Sequence, residues 1–180
     1  IRIAAEFLSD SDGVVAVDLA GAEALFPTSD YEKLFAHARA EGIPFTIHAG
    51  EAAGPESIRQ AVDYGTARIG HGVNCIHDKN LMNIIAEKGI TLELCPTSNL
   101  NTKIVNDIKD YPIDKIINNK IKVTINTDNM TVSGTDEASE MKLICDTFGY
   151  DGNMRRIFVD NAIDAAFLSN EMKEKLRGNL

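Results

Sequence analysis

The stretch Phe45-Thr46-Ile47-His48-Ala49-Gly50-Glu51 decides how the rest of the chain is read. It reads as a short apolar strand that meets a histidine, a glycine and a carboxylate where the strand should end. A His and a Glu three residues apart, on either side of a flexible Gly, can face one small cavity, which suits a metal ligand beside a proton donor. Alone, the segment reads equally as a strand closed by a satisfied polar residue at a sheet edge. Its weight comes from recurrence along the chain.

Upstream, residues 14–20 form a nearly continuous apolar run of strand length, followed by Gly21. Residues 1–8 read as the tail of a helix or an entry segment, and Asp10-Ser11-Asp12-Gly13 as a turn. Ser29-Asp30-Tyr31-Glu32 resembles a capping box, and apolar residues at 31, 34, 35 and 38 keep helical spacing until Gly42. Downstream the alternation continues: a helix over 55–64 with Pro55 in its first turn and Gly65 at its end, then a strand over 67–72. A helix over 78–88 stops at Gly89, a strand over 91–95 closes at Pro96, a shorter helix spans 113–119, and the last strand spans 122–128. Helical spacing then holds over 136–148, about 153–167 and 170–177. With no low-complexity tract or linker, residues 1–180 read as a single domain.

Strands alternating with helices predict a parallel α/β sheet with right-handed crossovers. Parallel strands covered on both faces should be apolar throughout. Here one parity is apolar (Phe45, Ile47; Leu92, Leu94; Val123, Ile125) and the other more polar (Thr46, His48; Glu93, Cys95; Thr124, Asn126, Asp128). A barrel explains that split, with the apolar parity under the helices and the polar parity in a partly hydrated lumen; half-exposed strands are the alternative. Each strand end carries unusual chemistry: Gly21; His48 and Glu51; His71; Pro96-Thr97-Ser98-Asn99; Asp128 and Asn129. Active sites of (βα) barrels are assembled at the C-terminal ends of several strands.

Composition narrows the partners. A formal charge of −9 over 180 residues argues against a nucleic-acid or membrane-surface binder, since phosphate backbones are held mainly by Lys and Arg. A pocket for a small neutral ligand is unaffected by that sign. The cysteines Cys75, Cys95 and Cys145 are odd in number and widely spaced, so neither a disulfide framework nor a Cys-rich zinc module is expected, and a reducing, cytoplasmic setting fits. No run approaches the ~18 apolar residues of a membrane span. His48 and Asp128 are of the type zinc takes, and bound zinc can lower the pKa of a water towards ~7. Glu51 could then act as general acid, and His71 as base or as orienter of the attacking water. The HExxH, cytidine-deaminase, GxSxG and phosphate-loop patterns are absent.

Leu19-Ala20-Gly21-Ala22-Glu23, His48-Ala49-Gly50-Glu51, Arg68-Ile69-Gly70-His71-Gly72, Cys95-Pro96-Thr97-Ser98-Asn99 and Asn126-Thr127-Asp128-Asn129 resemble, in order and spacing, the adenosine deaminase family. The resemblance covers the chain from about Val14 onward. It implies a zinc-dependent (βα)8 TIM-type barrel that hydrolyses the 6-amino group of adenosine, and of deoxyadenosine, giving inosine and ammonia. By motif position it implies that His48 and Asp128 are zinc ligands, that Glu51 protonates purine N1, and that His71 assists the hydroxide attacking C6. The backbone N–H of Gly21 would meet purine N3, and Asn99 would brace its loop.

Two departures qualify the resemblance. Asn129 stands where many members have a second Asp, thought to donate to purine N7; an Asn amide donates at any pH. The family's His-x-His zinc pair has no counterpart, since the histidines are His37, His48, His71 and His77, and His37 and His77 read as surface residues. The expectation is therefore the C-terminal part, about strands four to eight, of the barrel, with the N-terminal half of the same barrel as its partner and a purine nucleoside as its small-molecule ligand. Alone, the chain is expected to be inactive. The alternatives are a related purine deaminase acting on adenine or AMP, or a catalytically incomplete fragment that binds nucleoside or assembles. An AMP deaminase would need a basic phosphate-binding set that this acidic chain does not show, and adenine deaminase-like members tend to differ at Gly70-His71-Gly72.

Overall fold

The structure, a computed structural model, describes residues 1–9 and 12–179, so the turn expected at 10–13 falls partly outside it. Five parallel strands lie in sequence order in one sheet: β1 (Val17–Leu19), β2 (Phe45–Ala49), β3 (Arg68–His71), β4 (Thr91–Leu94) and β5 (Val123–Ile125). Helix α1 (Arg2–Glu6) precedes them; α2 (Glu32–Ala40), α3 (Pro55–Tyr64), α4 (Lys79–Lys88), α5 (Pro96–Asn101) and α6 (Ile113–Asn118) lie between the strands. After β5 come α7 (Met130–Ser133), α8 (Glu137–Phe148), α9 (Gly152–Ala165) and α10 (Asn170–Gly178). None of the described helices is long and apolar enough to cross a membrane.

The register explains the two parities. Leu19, Ile47, Ile69, Leu92 and Val123 stand side by side across all five strands, and Ile47, Ile69 and Leu92 are fully buried. The helices meet this face with Phe35 and Ala38 of α2, Ile58 and Ala61 of α3, Leu81 and Ile85 of α4, and Ile113 and Ile116 of α6. Each buried Ile or Leu contributes roughly 1.5–3 kcal/mol, so the outer layer holds the sheet. On the opposite face, Asp18, Thr46 and Arg68 form one rung and His48, Gly70, Glu93 and Thr124 the next.

That inner face carries polar chemistry far from the strand ends. Arg68 Nε lies 3.0 Å from Glu93 Oε1 without the alignment a hydrogen bond needs, and Thr46 Oγ1 donates to Glu93 Oε2 at 2.8 Å. The Arg68 guanidinium also donates to the Ala165 carbonyl at 3.0 Å and stacks 4.1 Å over the Phe167 ring. Thr46, Arg68, Glu93 and Phe167 of this charged cluster line the same cavity as the residues at the strand ends.

Several elements differ from their expected extents. β1 is shorter than the apolar run at 14–20 because its neighbour begins at Phe45, after Pro44; Val14 instead bridges to Leu8. β5 ends at Ile125, and Asp128 leaves the strand direction with φ 56°. The Ser29–Glu32 capping box does not form: Thr28–Tyr31 make a 3-10 turn, which places Ser29 inside the turn, and the Tyr31 cap of α2 makes no side-chain bond. Helix α5 follows β4 where the sequence shows no helical spacing; Pro96 closes β4 and also opens the helix, a position where its missing N–H costs nothing. His37 and His77 lie exposed as expected, and all three cysteines are buried and unpaired.

Candidate active site

The C-terminal ends of the strands converge on a cavity of about 430 Å³ whose lining includes Asp18, His48, Gly70, Glu93, Asn126 and Asp128. A smaller cavity of about 220 Å³ adjoins it at His48 and is walled by Leu19, Gly21, Glu23, Phe26 and Tyr31. Among the described residues, His48, His71 and Asp128 each offer one ligand atom, and these atoms lie within 4.8 Å of one another.

Small residues make that convergence possible. A Cβ on Gly70 would stand 3.0 Å from the His48 ring, so the bare backbone of β3 is what lets the imidazole lie across it. Gly50 has φ 72°, and a Cβ there would collide with the Ile58 side chain. His71 and Asp128 occupy the left-handed region at φ 60° and 56°. Such backbone costs on the order of 1–3 kcal/mol per residue and is tolerated where surrounding structure enforces it.

His48 Nδ1 lies 3.2 Å from Asp18 Oδ1. That bond raises the His48 pKa against the opposing effect of burial. It also leaves Nε2 free to ligate, with a carboxylate behind the ring as metal-bound histidines commonly have. Asp128 Oδ2 accepts a 2.7 Å bond from Ser98 Oγ, which orients the carboxylate and leaves its other oxygen available.

The proton-handling side is more enclosed. His71 is 1% exposed, and burial lowers its pKa, with the Glu51 charge acting in the opposite direction. His71 Nε2 lies 3.6 Å from Glu51 Oε2. The Asn99 amide, assigned by its hydrogen bonds, donates to His71 Nδ1 at 3.1 Å and to Glu51 Oε1 at 3.4 Å. Its carbonyl accepts from Tyr111 OH at 2.9 Å, and Thr102 Oγ1 donates to Glu51 Oε1 at 3.3 Å. Burial drives the Tyr111 pKa well above its usual value, so it remains a donor. With Nδ1 accepting, neutral His71 carries its proton on Nε2, toward Glu51.

Of the residues singled out from the sequence, His48, Glu51, His71 and Asp128 are brought together, and Gly21 lies across the smaller cavity from His48. Asn129 is exposed at the β5 edge, where its Oδ1 accepts from Val132 N at 3.0 Å and caps α7, leaving the amide hydrogens unengaged by that cap. Asn99 lies in helix α5 rather than in a loop, and its side chain touches both His71 and Glu51. Asp18, Ser98, Thr102 and Tyr111 were given no role from sequence; a lone carboxylate in the apolar run at 14–20 was a signal for Asp18 alone.

The family model described as adenosine deaminase matches residues 2–180. The chain belongs to the adenosine deaminase family. The adenosine deaminase of Haemophilus ducreyi is 45% identical over 181 residues, a match covering 100% of this chain and 53% of that protein. The apo structure of the N6-methyl-AMP deaminase from Arabidopsis thaliana superposes with a TM-score of 0.87 at 28% identity, covering 98% of this chain and 51% of that one. An amidohydrolase from Burkhoderia ambifaria, solved with bound Zn, superposes with a TM-score of 0.85 at 25% identity, covering 93% and 48%. The chain thus spans about half the length of the adenosine deaminase family members it matches, and its five parallel strands are the C-terminal part of a TIM-type barrel.

The donor set fits a metal in part. Two imidazoles and a carboxylate within reach of one point suit zinc. His71, however, is held by Asn99 on one nitrogen and faces Glu51 with the other. That leaves unengaged ligand atoms on His48 and Asp128, two where a catalytic zinc site uses three protein ligands.

Proposed function

We propose that this chain, one domain over residues 1–180, is the C-terminal part of a zinc-dependent barrel that hydrolyses adenosine, and deoxyadenosine, to inosine and ammonia. The observation carrying the proposal is the convergence of His48, His71 and Asp128 ligand atoms within 4.8 Å, with Glu51 3.6 Å from His71. His48 and Asp128 would hold the zinc, joined by ligands from the half-barrel that completes the sheet along the open edges of β1 and β5. Bound zinc is a Lewis acid that makes a coordinated water acidic near neutral pH.

The chain's own residues would do the rest. The Gly21 N–H and the Glu51 carboxyl would meet N3 and N1 on one edge of the purine, and the Asn129 amide would donate to N7. Glu51, in its acid form, would protonate N1 and so make C6 electrophilic, and His71 would orient the attacking water through its Nε2–H. Enclosure of His71 keeps bulk water away from this side of the site.

Metal analysis and ammonia release, with adenosine, deoxyadenosine, adenine and AMP as substrates, test the proposal. The completed barrel should bind one zinc and favour adenosine and deoxyadenosine. The 180-residue chain alone should release none, and zinc-dependent turnover by it would overturn the half-barrel reading. Replacing Asn129 with Ala should reduce kcat/KM for adenosine about 10-fold while sparing a 7-deaza analogue; an equal effect on both would remove the N7 role.

A further inference from the structure

The Leu19–Glu23 motif ends in a carboxylate that the proposed chemistry does not use. Glu23 lies on the turn after β1, and its side chain reaches across to the turn after β2. Its Oε1 accepts from Gly50 N at 2.6 Å and from Ser57 Oγ at 2.5 Å. Its Oε2 accepts from Glu51 N at 3.1 Å, Ala52 N at 2.8 Å and Ala53 N at 3.0 Å. One carboxylate therefore takes the amides of four successive residues, and the second of them is Glu51. The Thr28 and Ser57 hydroxyls, 2.8 Å apart and both buried, extend the same chain of bonds.

The carbonyl side of this turn is held from the opposite flank. Asn74, after β3, donates its amide to Glu51 O at 3.0 Å and to Ala53 O at 2.9 Å, and its own N–H goes to Gly50 O at 3.2 Å. A short turn with a glycine at φ 72° has no regular secondary structure to fix it. Its amides would otherwise be hydrated and its path variable. Hydrogen bonds to a charged acceptor each contribute roughly 1.5–3 kcal/mol, and several on one carboxylate convert the turn into a rigid support. The Glu23 backbone N–H also closes the turn back to Gly21 O at 3.0 Å.

We propose that Glu23 is a positioning residue for catalysis: it fixes the Glu51 side chain at a set distance from the Gly21 turn, so that acid and N3 donor address the same purine edge. This rests on the deaminase reading above. Glu23 borders the smaller cavity, but both its oxygens are taken up by the 50–53 amides and Ser57, so it acts through Glu51.

Two measurements test it. In the completed enzyme, Glu23→Gln should lower kcat about 100-fold with KM changed less than about 3-fold, because a transition-state contact is lost and ground-state binding is kept. Ser57→Ala, which removes the bonds to Glu23 and Thr28 and keeps the four backbone amides on the carboxylate, should lower kcat about 5-fold. Both effects should shrink below about 2-fold in a Glu51→Gln background; full effects persisting there would overturn the proposal, since neighbours acting as a unit are non-additive. In the 180-residue chain, amide hydrogen exchange at residues 51–53 should accelerate at least 10-fold in Glu23→Gln, with Ser57→Ala intermediate and the β3 and β4 amides unchanged. Unchanged exchange at 51–53 would overturn the proposal independently of activity. Should Glu51→Gln itself leave turnover intact, the deaminase assignment of Glu51 fails and with it this role for Glu23, while faster exchange at 51–53 would show that the clamp itself exists.

Discussion

At the middle of the sheet, His71 is 1% exposed, Asn99 is fully buried and Tyr111 is 2% exposed, and the three are joined by hydrogen bonds that also reach Glu51. At its two edges, the Asp18 side chain is 42% exposed, and Gly21, Asp128 and Asn129 are exposed. The central strands have neighbours on both sides, so the turns above them can be clamped from either flank, as Glu23 and Asn74 clamp residues 50–53. The edge strands have a neighbour on one side only. The proposed acid–base pair is therefore built within this half, whereas the proposed metal and substrate positions face the open side, where further strands would complete them.

The largest effect expected from this division is on chemistry. In the completed enzyme, Glu51→Gln should lower kcat on adenosine about 1,000-fold, within the ~10²–10⁴ range of general acid–base groups. The metal content and the unfolding midpoint should stay unchanged, because Gln keeps an acceptor oxygen for Asn99 and Thr102 and the backbone bond to Glu23 is untouched. Steady-state kinetics with metal analysis checks this. Loss of zinc in the variant would mean that the acid–base side and the metal side are not separable, and the comparison would fail.

Next in size is stability of the chain itself. Asn99→Ala should destabilise the 180-residue protein by about 2–4 kcal/mol, since it removes a buried amide and strands the Tyr111 hydroxyl and His71 Nδ1 without partners. Asp128→Asn at the edge should change stability by less than about 0.5 kcal/mol, in keeping with an exposed site and a residue type that tolerates positive φ. Urea midpoints at constant slope report both. Equal costs would show that the edge is as organised as the centre.

The same division marks what could be read from sequence. The strands and most helices are legible because periodicity and their stop signals agree, as at Pro55 with Gly65 and at Asp78 with Gly89. His48, Glu51, His71 and Asp128 are legible because each stands at a strand end with chemistry unusual for that place. The supports are not. Glu23 stands inside a motif that is plain in the sequence, yet its partners lie some thirty residues on and exist only once β1 pairs with β2. Tyr111 reaches Asn99 from the loop before α6, where nothing local marks it. Helix α5, with Pro96, Thr97 and Ser98 in its first turn, has no apolar spacing to announce it, although it carries Ser98, Asn99 and the loop to Thr102. Local patterns mark the candidate side chains, and long-range bonds decide what holds them.

The smallest and sharpest test uses the two histidines, whose rings lie 5.2 Å apart on adjacent strands. The hydrogen bond to Asp18 raises the His48 pKa, so the stability it confers is complete below the unfolded value of about 6.5 and is lost as pH rises through the folded one. Burial lowers the His71 pKa, so the unfolded chain takes up a proton that the folded one refuses, and stability is lost as pH falls from about 6.5 through the folded value. In the metal-free 180-residue chain these trends oppose each other. Between pH 7.5 and 5.5, His48→Asn should make the urea midpoint fall more steeply than in the parent chain, because only the His71 contribution remains. His71→Asn should make it fall less steeply or rise. Reading each variant against its own midpoint at pH 7.5 removes any difference in basal stability. If both substitutions bend the profile in the same direction, His48 and His71 share one environment, and the separation of an enclosed acid–base side from an open metal side is wrong.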